Sequence, residues 1–300
     1  MNRTTLICIV FISNLILGCN RSIETDYVSE TNPSQVEDLP QNTPIPEGED
    51  TLLFFDYAGT DFGVQLLYPE GQPKGCMLIL QGWNFPRTDW CDSTNLCSMA
   101  LEEGYVLICP DMGKSIYANK TYPQTRQDWL KYPTRSWLVE TVIKNLQDSL
   151  GLFMPDGNNF VVGLSTGGRG ALLVALDLPN VFSAAACLSG DYDQSKFPSD
   201  NLYKGFFGPM NKFPELWEGV ENPIRRINEL KSAVYISHGD LDEVCSIEHS
   251  EILYNAIKSE TVVKTVFKIG EGMAHNYAFW NSEVAAILDF FASVSDESKF

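Results

Sequence analysis

Three hundred residues, 44% of them hydrophobic, can enclose a full core without a metal or disulfide staple, and they allow one large domain or two small ones. A formal net charge of -18 repels phosphate backbones, so nucleic acid is not an expected partner. Charged residues at 20% and aromatics at 12% argue against a mostly disordered chain.

The chain opens with Arg3 ahead of an apolar run over residues 6–17, interrupted by Ser13 and Asn14. That run is too short to span a bilayer and fits the apolar region of an export signal, expected over residues 1–18. It ends in Ile16-Leu17-Gly18-Cys19, which resembles the bacterial lipobox. The resemblance implies an exported lipoprotein, in the periplasm or at the cell surface, whose only membrane contact is a lipid on Cys19. An ordinary secretory signal with a chance cysteine is the alternative. Residues 20–50 hold eight acids, one base and four prolines, the composition of a solvated tether (19–50 with the anchor) that cannot collapse.

From residue 51 the pattern alternates. Residues 52–57 and 62–68 read as a strand pair around Gly59-Thr60-Asp61, and 76–80 as a buried strand ending at Gln81-Gly82. Residues 105–109 form another apolar run, 137–150 have helical spacing, 160–164 are a strand and 168–178 a helix. Strands are expected at 182–188 and 234–237, a helix at 247–258, a strand at 262–269 and a closing helix at 281–291. Between them, residues 192–231 show no strand pattern and are rich in aromatic rings from Tyr192 to Trp217. Continuous apolar strands alternating with helices predict an α/β fold: a mostly parallel, doubly wound sheet, helices on both faces, over residues 51–295. Ligands in such sheets bind beyond the carboxyl ends of the strands.

Cys91 and Cys97 lie in a polar stretch expected to be a loop, with five residues between them, and are expected to pair. Cys76, Cys109 and Cys187 sit in apolar runs and read as buried thiols. The three histidines are His238, His249 and His275, and neither Cys-x-x-Cys nor His-Glu-x-x-His occurs, so neither a metal nor a cofactor is expected. His238, at a strand end, is expected to hydrogen-bond locally, and His249 to lie on a helix surface.

The chemistry concentrates at Gly163-x-Ser165-x-Gly167, between a strand and a helix. A turn this tight holds the serine in a strained conformation, excludes a neighbouring Cβ and exposes the hydroxyl above the sheet. The helix start behind it aims backbone N–H groups at developing negative charge. A serine hydroxyl needs a base, and the base an acid to fix its tautomer. His275 stands in a loop before the last helix. Asp240, Asp242 and Glu243 compete for the acid in Ser237-His238-Gly239-Asp240-Leu241-Asp242-Glu243-Val244.

The segment 163–172 (Gly-Leu-Ser-Thr-Gly-Gly-Arg-Gly-Ala-Leu), with Pro179-Asn180-Val181-Phe182, Leu188-Ser189-Gly190-Asp191 and 238–244, resembles the α/β hydrolases of the group that holds esterase D, feruloyl esterases and mycolyltransferases. The resemblance covers residues 51–292. It implies a triad in the order Ser165, Asp242, His275, with Asp242 favoured because His-Gly-x-x-Asp recurs in that superfamily. It implies an oxyanion hole from the N–H groups of Thr166 and of Trp83, the latter in Gln81-Gly82-Trp83, where Gln stands in the family's His place. The expected activity is hydrolysis of carboxylic esters through an acyl-enzyme, on acyl groups of carbohydrates, with the 192–231 insertion above the triad. The rivals are a serine peptidase or acyltransferase of the same fold, and an inactive hydrolase fold that only binds.

Overall fold

The computed structural model describes residues 50–297. The expected export signal, the lipidated Cys19 and the tether up to residue 49 lie outside the described residues. Eight strands form one sheet: β1 (Thr51–Tyr57), β2 (Thr60–Leu67), β3 (Gly75–Leu80), β4 (Tyr105–Pro110), β5 (Asn159–Leu164), β6 (Ala184–Leu188), β7 (Ala233–Gly239) and β8 (Thr265–Gly270). Their order is β1-β2-β4-β3-β5-β6-β7-β8. The pairs β1–β2 and β2–β4 are antiparallel, and every other pair is parallel. The parallel strands β4 to β7 are buried along their whole length, as their unbroken apolar sequences require when helices cover both faces.

Strand parity divides the core in two. Leu78, Leu80, Val161 and Val234 face one side. There they meet α3 (Lys144–Leu150), α4 (Thr166–Asp177) and α7 (Glu248–Glu260), through Leu146, Leu172 and Leu253. Met77, Ile79 and Val162 face the other. There they meet α1 (Asp89–Ser93), α2 (Leu96–Glu102) and α8 (Tyr277–Glu297), through Trp90, Ala100 and Ile287. The helical spacing expected over 137–150 begins as a π-helical stretch, Trp137–Ile143, and continues as α3.

Two expectations shift. The polar stretch around Cys91 and Cys97 is not a loop but α1 and α2, joined by the expected disulfide. Helices of five and seven residues are too short to show a period in sequence; Trp90 and Leu96, both fully buried, hold them down. The strand expected from residue 262 starts at Thr265, and Val262 is fully exposed. Cys76, Cys109 and Cys187 are buried thiols, and burial pushes Cys76 up to about 11 and Cys109 to about 12.

The insertion between β6 and β7 has no strand. It carries α5 (Asn201–Phe207), α6 (Pro214–Glu218) and the 3-10 turns Gln194–Lys196 and Pro223–Glu229. Tyr203, Phe206, Phe207 and Trp217 bury against Ile116, Ala118 and Trp129 in a third apolar cluster, so most of these rings pack the insertion onto the body. Arg169 of α4, with no exposed surface, pins the same joint. Its guanidinium donates to the Ile116 carbonyl at 3.2 Å, to Gln194 Oε1 at 2.9 Å and to the Glu221 carbonyl.

Candidate active site

Ser165 joins β5 to α4 with φ 54° and ψ -126°, a conformation no unconstrained serine keeps. Its N–H donates to the Leu188 carbonyl at the end of β6 at 2.9 Å. Its carbonyl accepts from the N–H of Gly168 at 2.9 Å and of Arg169 at 3.2 Å. The motif glycines are needed because backbone meets backbone here. A Cβ on Gly163 would lie 2.1 Å from the Gly167 carbonyl oxygen, and one on Gly167 would lie 2.3 Å from that of Leu80. The first contact closes the turn. The second seats α4 on the end of β3, whose next residues are Gln81, Gly82 and Trp83.

Two backbone N–H groups in the segments that meet at this junction, those of Thr166 and Trp83, have no hydrogen-bond partner among the described residues. Thr166 starts α4, where no preceding turn offers a carbonyl. Trp83 follows β3, and its neighbours Asn84 and Phe85 donate instead to the carbonyls of Gly113 at 2.9 Å and Gly82 at 3.3 Å. The Trp83 ring is held edge-on by Trp129 at 4.8 Å and Phe206 at 5.9 Å between centroids, so the insertion braces the loop that carries this N–H.

His275 sits in the loop between β8 and α8, and its side chain is 10% exposed. Its Nδ1–H donates to Asp242 Oδ2 at 2.6 Å. Asp242, beyond the end of β7, is the acid that reaches the histidine. Asp240 is exposed and accepts from the Gly272 N–H at 2.7 Å, which ties down the histidine's own loop, and Glu243 is exposed. The other Asp242 oxygen accepts the N–H groups of Val244 at 2.9 Å and Cys245 at 2.8 Å. Burial alone would raise the Asp242 pKa. Hydrogen bonds from His238, His275 and the Cys245 N–H outweigh it and hold the carboxyl well below the usual carboxylate range.

His238 does hydrogen-bond locally, as expected, but its partner set includes the acid. Fully buried, it places Nε2 2.9 Å from the Cys245 carbonyl and 3.2 Å from Asp242 Oδ2. Both partners only accept, so Nε2 carries the proton. Nδ1, 2.8 Å from Ser250 Oγ, then accepts from that hydroxyl. Asp242 thus lies between two imidazoles. The four-residue spacing from His238 to Asp242 was the only trace of this in the sequence.

His249 is a correction: it is 3% exposed, not on the surface. It faces inward because its Nδ1 accepts the N–H groups of Tyr192 at 3.2 Å and Asp193 at 3.3 Å, where the insertion leaves the sheet. Phe197 stacks on its ring at 3.9 Å. With Asp191 and Cys245 it offers three ligand atoms within 4.8 Å of one another. The hydrogen bonds oppose a metal there. Nδ1 accepts, so the proton occupies Nε2, the atom nearest Asp191, and the Cys245 thiol, pushed up by burial, donates to Asp191 Oδ1 at 3.2 Å.

This strand order, with a strained serine between β5 and α4 and an aspartate–histidine pair beyond β7 and β8, defines an α/β-hydrolase fold. The chain belongs to the Putative esterase family, whose sequence profile matches residues 57–292, and is a hydrolase of esterase type. It is 20% identical over 235 residues to an acetyl esterase of Caldicellulosiruptor saccharolyticus, covering 73% of this chain and 84% of that one. The fold is shared with FphF, a fluorophosphonate-binding serine hydrolase of Staphylococcus aureus. The TM-score is 0.66 at 17% identity, over 82% of this chain and 99% of that one. It is shared also with a ferulic acid esterase, at TM-score 0.61 and 14% identity, over 83% of this chain and 98% of that one.

The depressed Asp242 pKa predicts a pH signature in stability. An aspartate in the unfolded chain titrates near about 3.9. The folded carboxyl titrates lower, so its ionised form favours the fold at neutral pH, and that contribution fades as pH drops below about 4. Asp242→Asn should therefore unfold at lower denaturant than the parent at pH 7, with the gap narrowing by pH 3. Denaturant midpoints measured across that range test it, and a gap independent of pH would contradict it.

Proposed function

We propose that Ser165, His275 and Asp242 are the nucleophile, base and acid of a serine esterase. What carries this reading is the 2.6 Å contact of His275 Nδ1 with Asp242, at the end of the sheet where Ser165 is held in its strained turn. In it, His275 Nε2 takes the Ser165 proton as Oγ adds to the ester carbonyl carbon. Asp242 keeps the other imidazole proton on Nδ1 and stabilises the imidazolium that forms. The Thr166 and Trp83 N–H groups hold the oxyanion. The alcohol leaves with the proton from His275. Water, deprotonated by the same histidine, then attacks the acyl-enzyme and releases the acid and Ser165.

The substrate class in this reading is acyl groups on carbohydrates. The similarity to an acetyl esterase and to a ferulic acid esterase supports it. The chain's net charge of -18 disfavours anionic polymers, and a neutral acylated glycan avoids that repulsion. The export signal and the lipid on Cys19 belong to the same proposal, since they would keep the enzyme where such polymers arrive from outside.

Ser165→Ala should abolish ester turnover with thermal unfolding unchanged, and Asp242→Asn should lower kcat by about 10⁴-fold through the wrong imidazole tautomer, while Asp240→Asn retains most activity. Activity should also fall as the medium is acidified, because a protonated base cannot accept the serine proton. Near-parental turnover by Ser165→Ala, or a rate flat into acid, would rule out the serine–histidine mechanism. On the substrate side, kcat/KM compared on acetylated xylan, methyl ferulate, a long-chain nitrophenyl ester and a peptide anilide should favour the first two. Preference for the lipid ester or the anilide would remove the carbohydrate assignment and leave the triad. Mass analysis of the native protein should find cleavage before Cys19 and a lipid on that cysteine; a mature terminus elsewhere with Cys19 free would remove the anchor.

A further inference from the structure

Gln81 is the first residue past β3, is 2% exposed, and has no hydrogen-bond partner among the described residues for either Nε2 or Oε1. A carboxamide offers two donors and an acceptor, and buried polar groups in folded proteins are almost always paired. The backbone around it is not loose. The Gln81 carbonyl accepts the Tyr117 hydroxyl at 2.9 Å, and that same oxygen is 2.6 Å from where a Cβ on Gly167 would stand. Gln81 is thus pressed against the helix turn that carries Ser165. The register agrees: Leu80 of β3 is the partner of Gly163 of β5, so Gln81 and Ser165 leave the sheet from neighbouring strand ends. Beside Ser165 stands a second case, Thr166 Oγ1, in a residue 2% exposed and also without a partner among the described residues. Unpaired buried side chains therefore follow the ends of both β3 and β5, in the segments that carry the N–H groups of Trp83 and Thr166.

We propose that Gln81 is a substrate-contacting residue whose Nε2–H donates to the ester carbonyl oxygen, as a third donor beside the backbone N–H groups of Trp83 and Thr166. This rests on the serine mechanism above. As Ser165 Oγ bonds to the carbonyl carbon, its proton passes to His275 and the carbonyl π electrons move onto the oxygen. The hydrogen bond from Nε2 strengthens as that charge grows. When the tetrahedral centre collapses, the electrons return to re-form C=O, the alcohol oxygen departs with the His275 proton, and the carboxamide is left unchanged. A donor of this kind acts on the transition state more than on the bound ester, so its removal is read in kcat rather than KM.

The test uses the full chain with Gln81→Met, which keeps the unbranched shape without polar atoms, and Gln81→Leu, which also removes the donor and the acceptor with an apolar side chain. Both are measured on 4-nitrophenyl acetate, for the rate of labelling by a fluorophosphonate, and for Tm. Both variants should lose kcat by about 100-fold with KM little changed, and label correspondingly slowly. Gln81→Met should melt no lower than the parent, because it removes an unpaired buried group. Parental kcat in either variant overturns the proposal, since no donation is then needed. Loss of kcat in Gln81→Met together with a lowered Tm also overturns it, and makes Gln81 a brace for the loop. Failure of the underlying mechanism looks different: the parent itself is not labelled, or Ser165→Ala stays active.

Discussion

Everything at the carboxyl end of the sheet depends on one approach of backbone to backbone, where α4 rests on the last residues of β3. Gly167 has no Cβ, and the Leu80 carbonyl occupies the space one would fill. A methyl group there would lift the helix off the strand. The loop of Gln81 to Trp83 would then separate from Ser165, and no arrangement of side chains elsewhere could restore it. The strain at Ser165 is sustained by the same packing. Its N–H is bound by β6 and its carbonyl by the first turn of α4, and α4 itself is buried from Thr166 to Leu176. A positive φ persists at a serine only where its surroundings determine it this completely.

The second organising element is the Asp242 carboxylate. A buried negative charge is tolerable when every lone pair meets a donor, and here two imidazoles and two backbone N–H groups supply them. The pair of histidines is not symmetric. His275 keeps some exposure, and its Nε2 has no hydrogen-bond partner among the described residues. His238 is sealed, its tautomer set by Ser250 on one side and the Cys245 carbonyl on the other. The carboxylate is therefore held in its ionised form by His238 and the Cys245 N–H as well as by His275.

The insertion acts as a clamp more than as a wall of aromatic contacts. Its rings close on Trp129 and on the Trp83 side chain, Arg169 reaches across to its main chain, and His249 caps the two N–H groups at its start. Rings spent on packing are not available to a ligand. At this end of the sheet the insertion braces the Trp83 ring through Phe206.

By itself the sequence determined the alternation of strands and helices, the parallel sheet, and the serine turn, because a buried strand is a continuous apolar run and Gly-x-Ser-x-Gly is a steric necessity read within one turn. The disulfide was legible too, its two cysteines lying close along the chain. The Ser–Asp–His order followed from family resemblance, and three acids within four residues left the choice to spacing. Only the tertiary structure separated them: Asp240 turns to the Gly272 N–H and Asp242 to His275, a distinction made by two loops from different strands. The same holds for buried His249 and for Gln81, whose carboxamide has no partner among the described residues. Each is a contact between segments far apart in the chain, or the lack of one. Local sequence carries periodicity and turn chemistry but no distances across the sheet, so α1 and α2, stabilised by packing under α8 rather than by their own short periods, were also invisible to it.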